Sequence, residues 1–259
     1  MAIYKTEAIV LKSRRQGETS KIVTVFSRLF GKQSLMAKGS RNIKSKYLGV
    51  LEPLNYIRVI IYRKETRELQ YISQAEIIEH FPSIHEQLGK IALAAIPCEI
   101  IDKTENPEHA NPRLFQLLLD TLRALEKADT GLRNIIRAFQ LRFIDLSGFH
   151  PDFSHCSLCE KEEIDGFIYF MLDKGAYACQ QCDQVSEAAF QLSGKALEYL
   201  RWLQTAPLWA AHRAKMSARI GKEIDNFLLT FMRYHIDNLK YLKSIDHLDK
   251  LQAGLQSLQ

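Results

Sequence analysis

Apolar and polar positions alternate in short runs through the first eighty or so residues, then recur every three to four residues for most of the remaining chain. Ala8–Leu11, Lys21–Phe26 and Gln33–Lys38 are brief β-branched or apolar runs, with Gly31-Lys32 as a turn signal between the second and third. Asn55–Tyr62 (NYIRVIIY) and Leu69–Ile78 (LQYISQAEII) follow, joined by the charged connection KETRE. Five short strands in so small a segment predict a small β-barrel, and the five-stranded oligonucleotide-binding (OB) barrel fits the count. Periodicity alone leaves other small barrels and sandwiches open.

After Phe81-Pro82 the period lengthens. In residues 113–127, Leu114, Leu117, Leu118, Leu122 and Leu125 fall on one helical face. In 132–147, Leu132, Ile135, Ile136, Phe139, Phe143 and Leu146 do the same, bracketed by Gly131 and Gly148. Residues 192–205 and 216–240 predict two more helices, the second with Ile220, Ile224, Phe227, Leu228 and Phe231 in register. The expected architecture is α+β and multidomain. It comprises an OB-fold barrel over residues 1–80, a helical domain in two parts (81–150 and 191–259), and a zinc-ribbon-like insertion at 151–190.

Charge sharpens this picture. The net charge is +5. Residues 1–50 hold eleven Lys/Arg against Glu7 and Glu18, a net of +9, which leaves −4 for all that follows. Such asymmetry draws polyanions, with acidic membrane surfaces second. Lys12, Arg14, Arg15, Lys21, Arg28, Lys32, Lys38, Arg41, Lys44 and Lys46 are therefore the candidate nucleic-acid contacts. The segment MAKGSRNIKSKY, residues 36–47, is basic without a single acid. Tyr47 and Phe30 can either stack on bases or pack in the barrel. No apolar run approaches the ~18–20 residues that span a bilayer. The opening residues carry no apolar signal core, and Glu7 and Glu18 oppose a transit peptide, so a cytoplasmic location is expected.

The interruption of the helical pattern carries the one strong motif. Cys156-Ser-Leu-Cys159 precedes Cys179-Gln-Gln-Cys182 by nineteen residues, the spacing of a tetrahedral zinc site. GFIYFMLDKGAYA between the pairs predicts two strands around Asp173-Lys174-Gly175. Four thiolates leave no coordination position for water, so the zinc is expected to be structural. Disulfides would need an oxidising compartment, and a redox CxxC is usually single. His150 and His155 flank the first pair but are not needed as ligands. Cys98, after Pro97 in an apolar stretch, is expected to be a small buried hydrophobe.

Other signals fail on inspection. Gly31-Lys32-Gln33 lacks the glycine and the Ser/Thr of a phosphate-binding loop, and His85-Glu86 lacks the second histidine of a zinc protease helix. No nucleophile elbow occurs. The chain is not expected to be an enzyme.

The order of these elements resembles the RecO family of bacterial DNA-repair and recombination mediators. The resemblance is carried by Ile9-Val10-Leu11, Gly17-Glu18, Ile22-Val23-Thr24 with Phe26, Gly31, and Lys38-Gly39 leading to Lys44-Ser45. LEPLNYIRVIIY, GFHPDFSHCSLCE and GAYACQQC extend it. The pair Arg14-Arg15, read as part of the first loop, and the sequence KGAYA before the second CxxC depart from the family's usual pattern. The resemblance implies an OB domain, a helical domain and a zinc insertion. It further implies binding and annealing of single- and double-stranded DNA, and indirect help to the RecA recombinase on strands coated by single-strand-binding protein. RecR and the C-terminal tail of single-strand-binding protein are the implied partners, with nucleoid association during repair. Two rivals share part of the chemistry: an RNA-binding zinc-ribbon/OB protein of translation or transcription, and a metal-dependent nuclease.

Overall fold

A computed structural model describes residues 2–64, 69–182 and 188–256. Residues 65–68, most of the KETRE connection, lie outside them. Two compact units divide the chain: residues 1–127 with 242–259, and residues 128–241.

The first unit is built on a closed barrel of β1 (Ala2–Gln16), β2 (Ser20–Ser27), β3 (Gly31–Ala37), β4 (Tyr56–Arg63) and β5 (Gln70–Glu79). The strand order around it is β1-β2-β3-β5-β4, with β3 and β5 parallel, which is the OB arrangement. Closure depends on the length of β1. Ala2–Ile9 pair with β4, Ala8–Gln16 pair with β2, and a bulge between Val10 and Lys12 bends the strand from one neighbour to the other. The apolar run Ala8–Leu11 marks only the middle of this strand, because Ala2–Lys5 at one end and Arg14–Gln16 at the other are exposed. Lys12–Arg15, read from sequence as a turn, are strand residues; the turn is Gly17-Glu18-Thr19. Val10, Val23, Val25, Leu35, Ile57, Val59, Ile61 and Ile72 fill the interior.

Helices α1 (Pro82–Glu86), α2 (Leu88–Thr104), α3 (Pro112–Lys127) and α7 (Lys243–Gln256) complete this unit. Asn111 caps α3, its Oδ1 accepting from the Leu114 amide at 3.1 Å. The five leucines expected on the inner face of α3 are all buried. Phe115 on that helix meets Phe26 of β2 and Tyr56 of β4, with ring centroids 6.1 and 6.2 Å apart. α2 was not legible as a helix, since it is apolar nearly all round, as befits a buried central helix. Gly31, at the β2–β3 turn, has φ +61°, and an added Cβ would lie 1.8 Å from the His109 carbonyl oxygen. Only glycine admits that approach of the chain.

The second unit holds α4 (Leu132–Leu146), the antiparallel sheet β6 (Phe167–Met171), β7 (Ala176–Cys179) and β8 (Ala189–Ser193), then α5 (Gly194–Thr205) and α6 (Ala218–His235). Ser193 and Ser217 cap the last two helices through their hydroxyls. Leu146, expected to be inward, is exposed in the last turn of α4. α6 ends at His235, five residues before the expected end, and a short 3-10 turn follows.

Candidate metal centre and nucleic-acid interface

The two CxxC pairs sit on two tight turns, one before β6 and one at the end of β7. A backbone bond from the Glu160 amide to the Cys156 carbonyl shapes the first, and one from the Cys182 amide to the Cys179 carbonyl shapes the second. They bring the four Sγ atoms within 4.8 Å of one another. Cys156 and Cys182 are 3.9 Å apart, Cys159 and Cys179 3.7 Å, and Cys179 and Cys182 3.6 Å. A tetrahedron with metal–sulfur bonds of about 2.3 Å has edges of about 3.8 Å, so the donor set fits one tetrahedral ion. These distances are far beyond a disulfide bond, and the cysteines are free. Burial pushes the Cys156 thiol up, but donation from the amides of Cys179, Leu158 and Cys159 outweighs it and brings the group to about 6. Cys182, crowded first by Cys159 and then by Cys179, is pushed up to about 12. A cation is what allows such a cluster to ionise together.

Arg201 of α5 braces this cluster. Its guanidinium donates to the carbonyls of Phe153, Ser154 and Glu162 and to the Tyr177 hydroxyl, so one side chain ties both flanks of the first turn to β7. His150 pairs with Asp145, and His155 meets the Ser154 hydroxyl at 2.8 Å, both outside the sulfur cluster. Cys98 is buried in α2, and burial first, then Asp102, pushes its thiol up to about 12.

The ten basic candidates separate into three groups once their neighbours are known. Lys12 pairs with the Asp102 carboxylate, and Lys32 donates to the Asp102 carbonyl. Arg28 pairs with Glu7 at 2.9 Å, reaches Gln116 and lies 4.7 Å from the Phe115 ring centroid. The Tyr56 hydroxyl first, then Arg28, holds Glu7 below the usual carboxylate range, with burial opposing. These three cations therefore serve the seam between the barrel and α2 and α3. On the outer face of the barrel, Ile22, Thr24 and Phe26 of β2 are buried, whereas Ser34 of β3 is exposed.

A second group is tied to the barrel's own loops and to β5. Lys21 pairs with Glu52 at 2.8 Å. Arg41 donates to the carbonyls of Gly17 and Glu18 at 3.1 and 2.6 Å, and its amide bonds to the Thr19 carbonyl at 2.9 Å. Lys46 donates to the Ser73 carbonyl at 2.6 Å. The third group is exposed without a carboxylate partner among the described residues: Arg14 and Arg15 at the end of β1, Lys44 in the loop after β3, and Lys38, whose ammonium lies 4.5 Å from the Tyr71 ring centroid. Tyr47 is a core residue, 5% exposed, with its hydroxyl on the Ile72 and Ser73 carbonyls. Phe30 is half-buried against Tyr4, ring centroids 5.1 Å apart.

Sequence reasoning passed over Lys5 and Arg58. With Lys46, Ile60, Gln74 and Glu76 they line a groove of about 390 Å³ on the outer face of β1, β4 and β5. Their strand alternation, outward at Lys5 and at Arg58, was the available signal.

Comparisons with known proteins bear on this arrangement. Residues 1–81 match the family described as Recombination protein O N terminal, and residues 85–245 match Recombination protein O C terminal. The chain is 31% identical over 251 residues to the DNA repair protein RecO of Desulforamulus reducens, covering 97% of this chain and 96% of that one. It is 29% identical over 256 residues to the RecO protein of Symbiobacterium thermophilum, covering 98% and 100%. The chain belongs to the RecO family. Its general role is thus in DNA repair, and the family is named for recombination and repair, not for a catalysed reaction. The two RecO segments meet at residues 81–85, where the sequence period changes from strand to helix. Among the described residues no helix is long and apolar enough to cross a membrane.

Proposed function

We propose that this RecO-family chain is a non-enzymatic mediator that binds single- and double-stranded DNA and anneals complementary strands. On the same reading it assists RecA loading onto strands coated by single-strand-binding protein, with RecR and the tail of that protein as partners. The observation that carries the proposal is the cluster of exposed, carboxylate-free cations Arg14, Arg15, Lys38 and Lys44 on a barrel whose remaining candidates are internally engaged. Two strands repel until their phosphates are neutralised, and a basic surface that displaces counterions lowers that barrier without reading sequence. The metal centre, which we assign to zinc on its four thiolates, supports the fold and takes no part in chemistry. When bound, the ion supplies cross-linking of the two turns.

The test is annealing of complementary oligonucleotides, bare and coated with single-strand-binding protein, with the purified chain as the only addition. Reversal of Arg14, Arg15 and Lys44 to Glu is expected to weaken binding to all sequences. It should also flatten the slope of log affinity against log salt by about 2 on single strands. Reversal of Lys174, Lys222 and Lys240, exposed in the second unit, serves as the charge control. Equal loss in both variants, or tighter binding of structured RNA than of DNA, would sink the proposal.

A further inference from the structure

The barrel carries an outward aromatic row that the charge argument does not use. Leu35, Ile61 and Ile72 point into the core, so their neighbours Met36, Tyr62 and Tyr71 point out. Register sets these side by side: Met36 pairs with Tyr71, Tyr71 with Tyr62, and Tyr62 with Ile3. The row Met36–Tyr71–Tyr62–Ile3 thus crosses four strands on the outer surface. Ile3 is 64% exposed, and Met36, Tyr62 and Tyr71 are partly exposed. One residue pair along the same strands, Lys5, Ile60 and Gln74 form the next row, which opens into the groove shared with Lys46 and Arg58.

We infer that Tyr62 and Tyr71 form a stacking platform for the unpaired bases of a single strand, whose phosphates run over the exposed Lys38 and Lys5. The inference rests on the DNA-binding reading and adds to it a residue-level preference for single strands. Two tyrosines on adjacent strands present ring surface at the spacing of neighbouring strands, and every base has a face to lay on them. Lys5 and Lys38 lie beside the rings, as a polyanion requires, while Arg58 is held by Glu76 at 2.7 Å. The Lys38 ammonium over Tyr71 is a surface cation–π contact, weaker than base–aromatic stacking, so an entering base displaces it toward the adjoining phosphate. A duplex keeps its bases stacked on one another and cannot use the row.

The experiment compares a single-stranded oligonucleotide, the same length of abasic strand, and a duplex, each titrated at several salt concentrations. The double variant Tyr62→Thr, Tyr71→Thr keeps residues of high strand propensity, and Tyr62→Phe, Tyr71→Phe keeps the rings. The Thr pair is expected to lose between about fivefold and a hundredfold per ring on the normal single strand. Its salt slope should be unchanged, and so should its affinity for abasic strand and duplex. The Phe pair is expected to bind as the parent does. Parent-like binding by the Thr pair, equal losses on abasic strand, or failure of the Phe pair to bind would each overturn the platform. A parent protein that binds normal and abasic strands equally refutes the platform and leaves the DNA-binding reading standing; one that binds neither refutes both. If the Thr pair does not fold, tyrosine nitration of the parent decides. Peptides bearing Tyr62 and Tyr71 should be protected by the normal strand and not by the abasic one, and equal reactivity with both overturns the inference.

Discussion

The Arg41 guanidinium donates to the Glu18 carbonyl at 2.6 Å, which makes a cation of the basic loop the clasp of the first hairpin. With Gly17 as second acceptor and the Arg41 amide on Thr19, the turn between β1 and β2 is fastened to the loop after β3. Replacing Arg41 by Ala is expected to cost about 1 kcal/mol, below the ~1.5–3 kcal/mol of charged hydrogen bonds because the site is exposed. Denaturant midpoints measure the cost. Amide exchange should quicken at residues 17–20, while the salt slope of DNA binding changes less than in Lys44→Ala. A larger change in salt slope for Arg41→Ala would identify it as a phosphate contact instead.

That distinction marks the limit of what the sequence discloses. Alternation and turn residues were enough for five strands, and the spacing of Cys156, Cys159, Cys179 and Cys182 was enough for a cluster, because both signals are local. Lys12 and Arg14 look alike in sequence, yet Asp102, ninety residues away, engages one and not the other. The α2 helix hides for a related reason. Its surroundings are apolar on most sides, so no stripe of polar residues betrays the 3.6 period. The platform tyrosines were visible only as strand formers, since the partners that align them come from pairing across β3, β4 and β5.

Metal removal provides the second prediction. Three sulfur separations between 3.6 and 3.9 Å match a tetrahedral ion, and binding that gathers four thiolates becomes folding free energy. The purified chain should hold one zinc per molecule, and Cys179→Ser should release it and lower the melting temperature by several degrees. Unchanged melting after exhaustive chelation would refute the structural role. The salt slope for DNA should stay the same, since the basic cluster lies in the other compact unit.

Arg201 yields a third. Its planar fork reaches three carbonyls and the Tyr177 hydroxyl around the metal turns. Lysine cannot reproduce that geometry. Both Arg201→Ala and Arg201→Lys should therefore weaken metal retention, by about 10- to 100-fold as for other outer-shell partners. Competition against a chromogenic chelator reads this directly. Full rescue by lysine would show that charge alone matters there.

The C-terminal helix provides a pH dependence with a defined sign. Glu99 of α2 faces the start of α7, accepting from the Lys243 amide at 3.0 Å and the Ser244 amide at 2.7 Å. Those donors belong to the first turn of a helix, where amides lack partners and the dipole favours an anion. Burial alone would raise the Glu99 pKa, but the hydrogen bonds from Ser244 and Lys243, with Lys103 beside them at 3.4 Å, outweigh it and hold the group below its ordinary value. A carboxylate depressed on folding stabilises fully above its unfolded pKa, near 4.5, and loses that contribution as pH falls through the lower folded value. The docking of α7 on α2 should thus be constant at neutral pH and weaken in acid below that range. Glu99→Gln should cost about 1–2 kcal/mol at pH 7. It should also remove most of the difference in α7 amide exchange between pH 6 and pH 3.5, after correction for intrinsic rates. If the Gln variant shows the same acid-dependent loosening of α7 as the parent, Glu99 is not the group responsible.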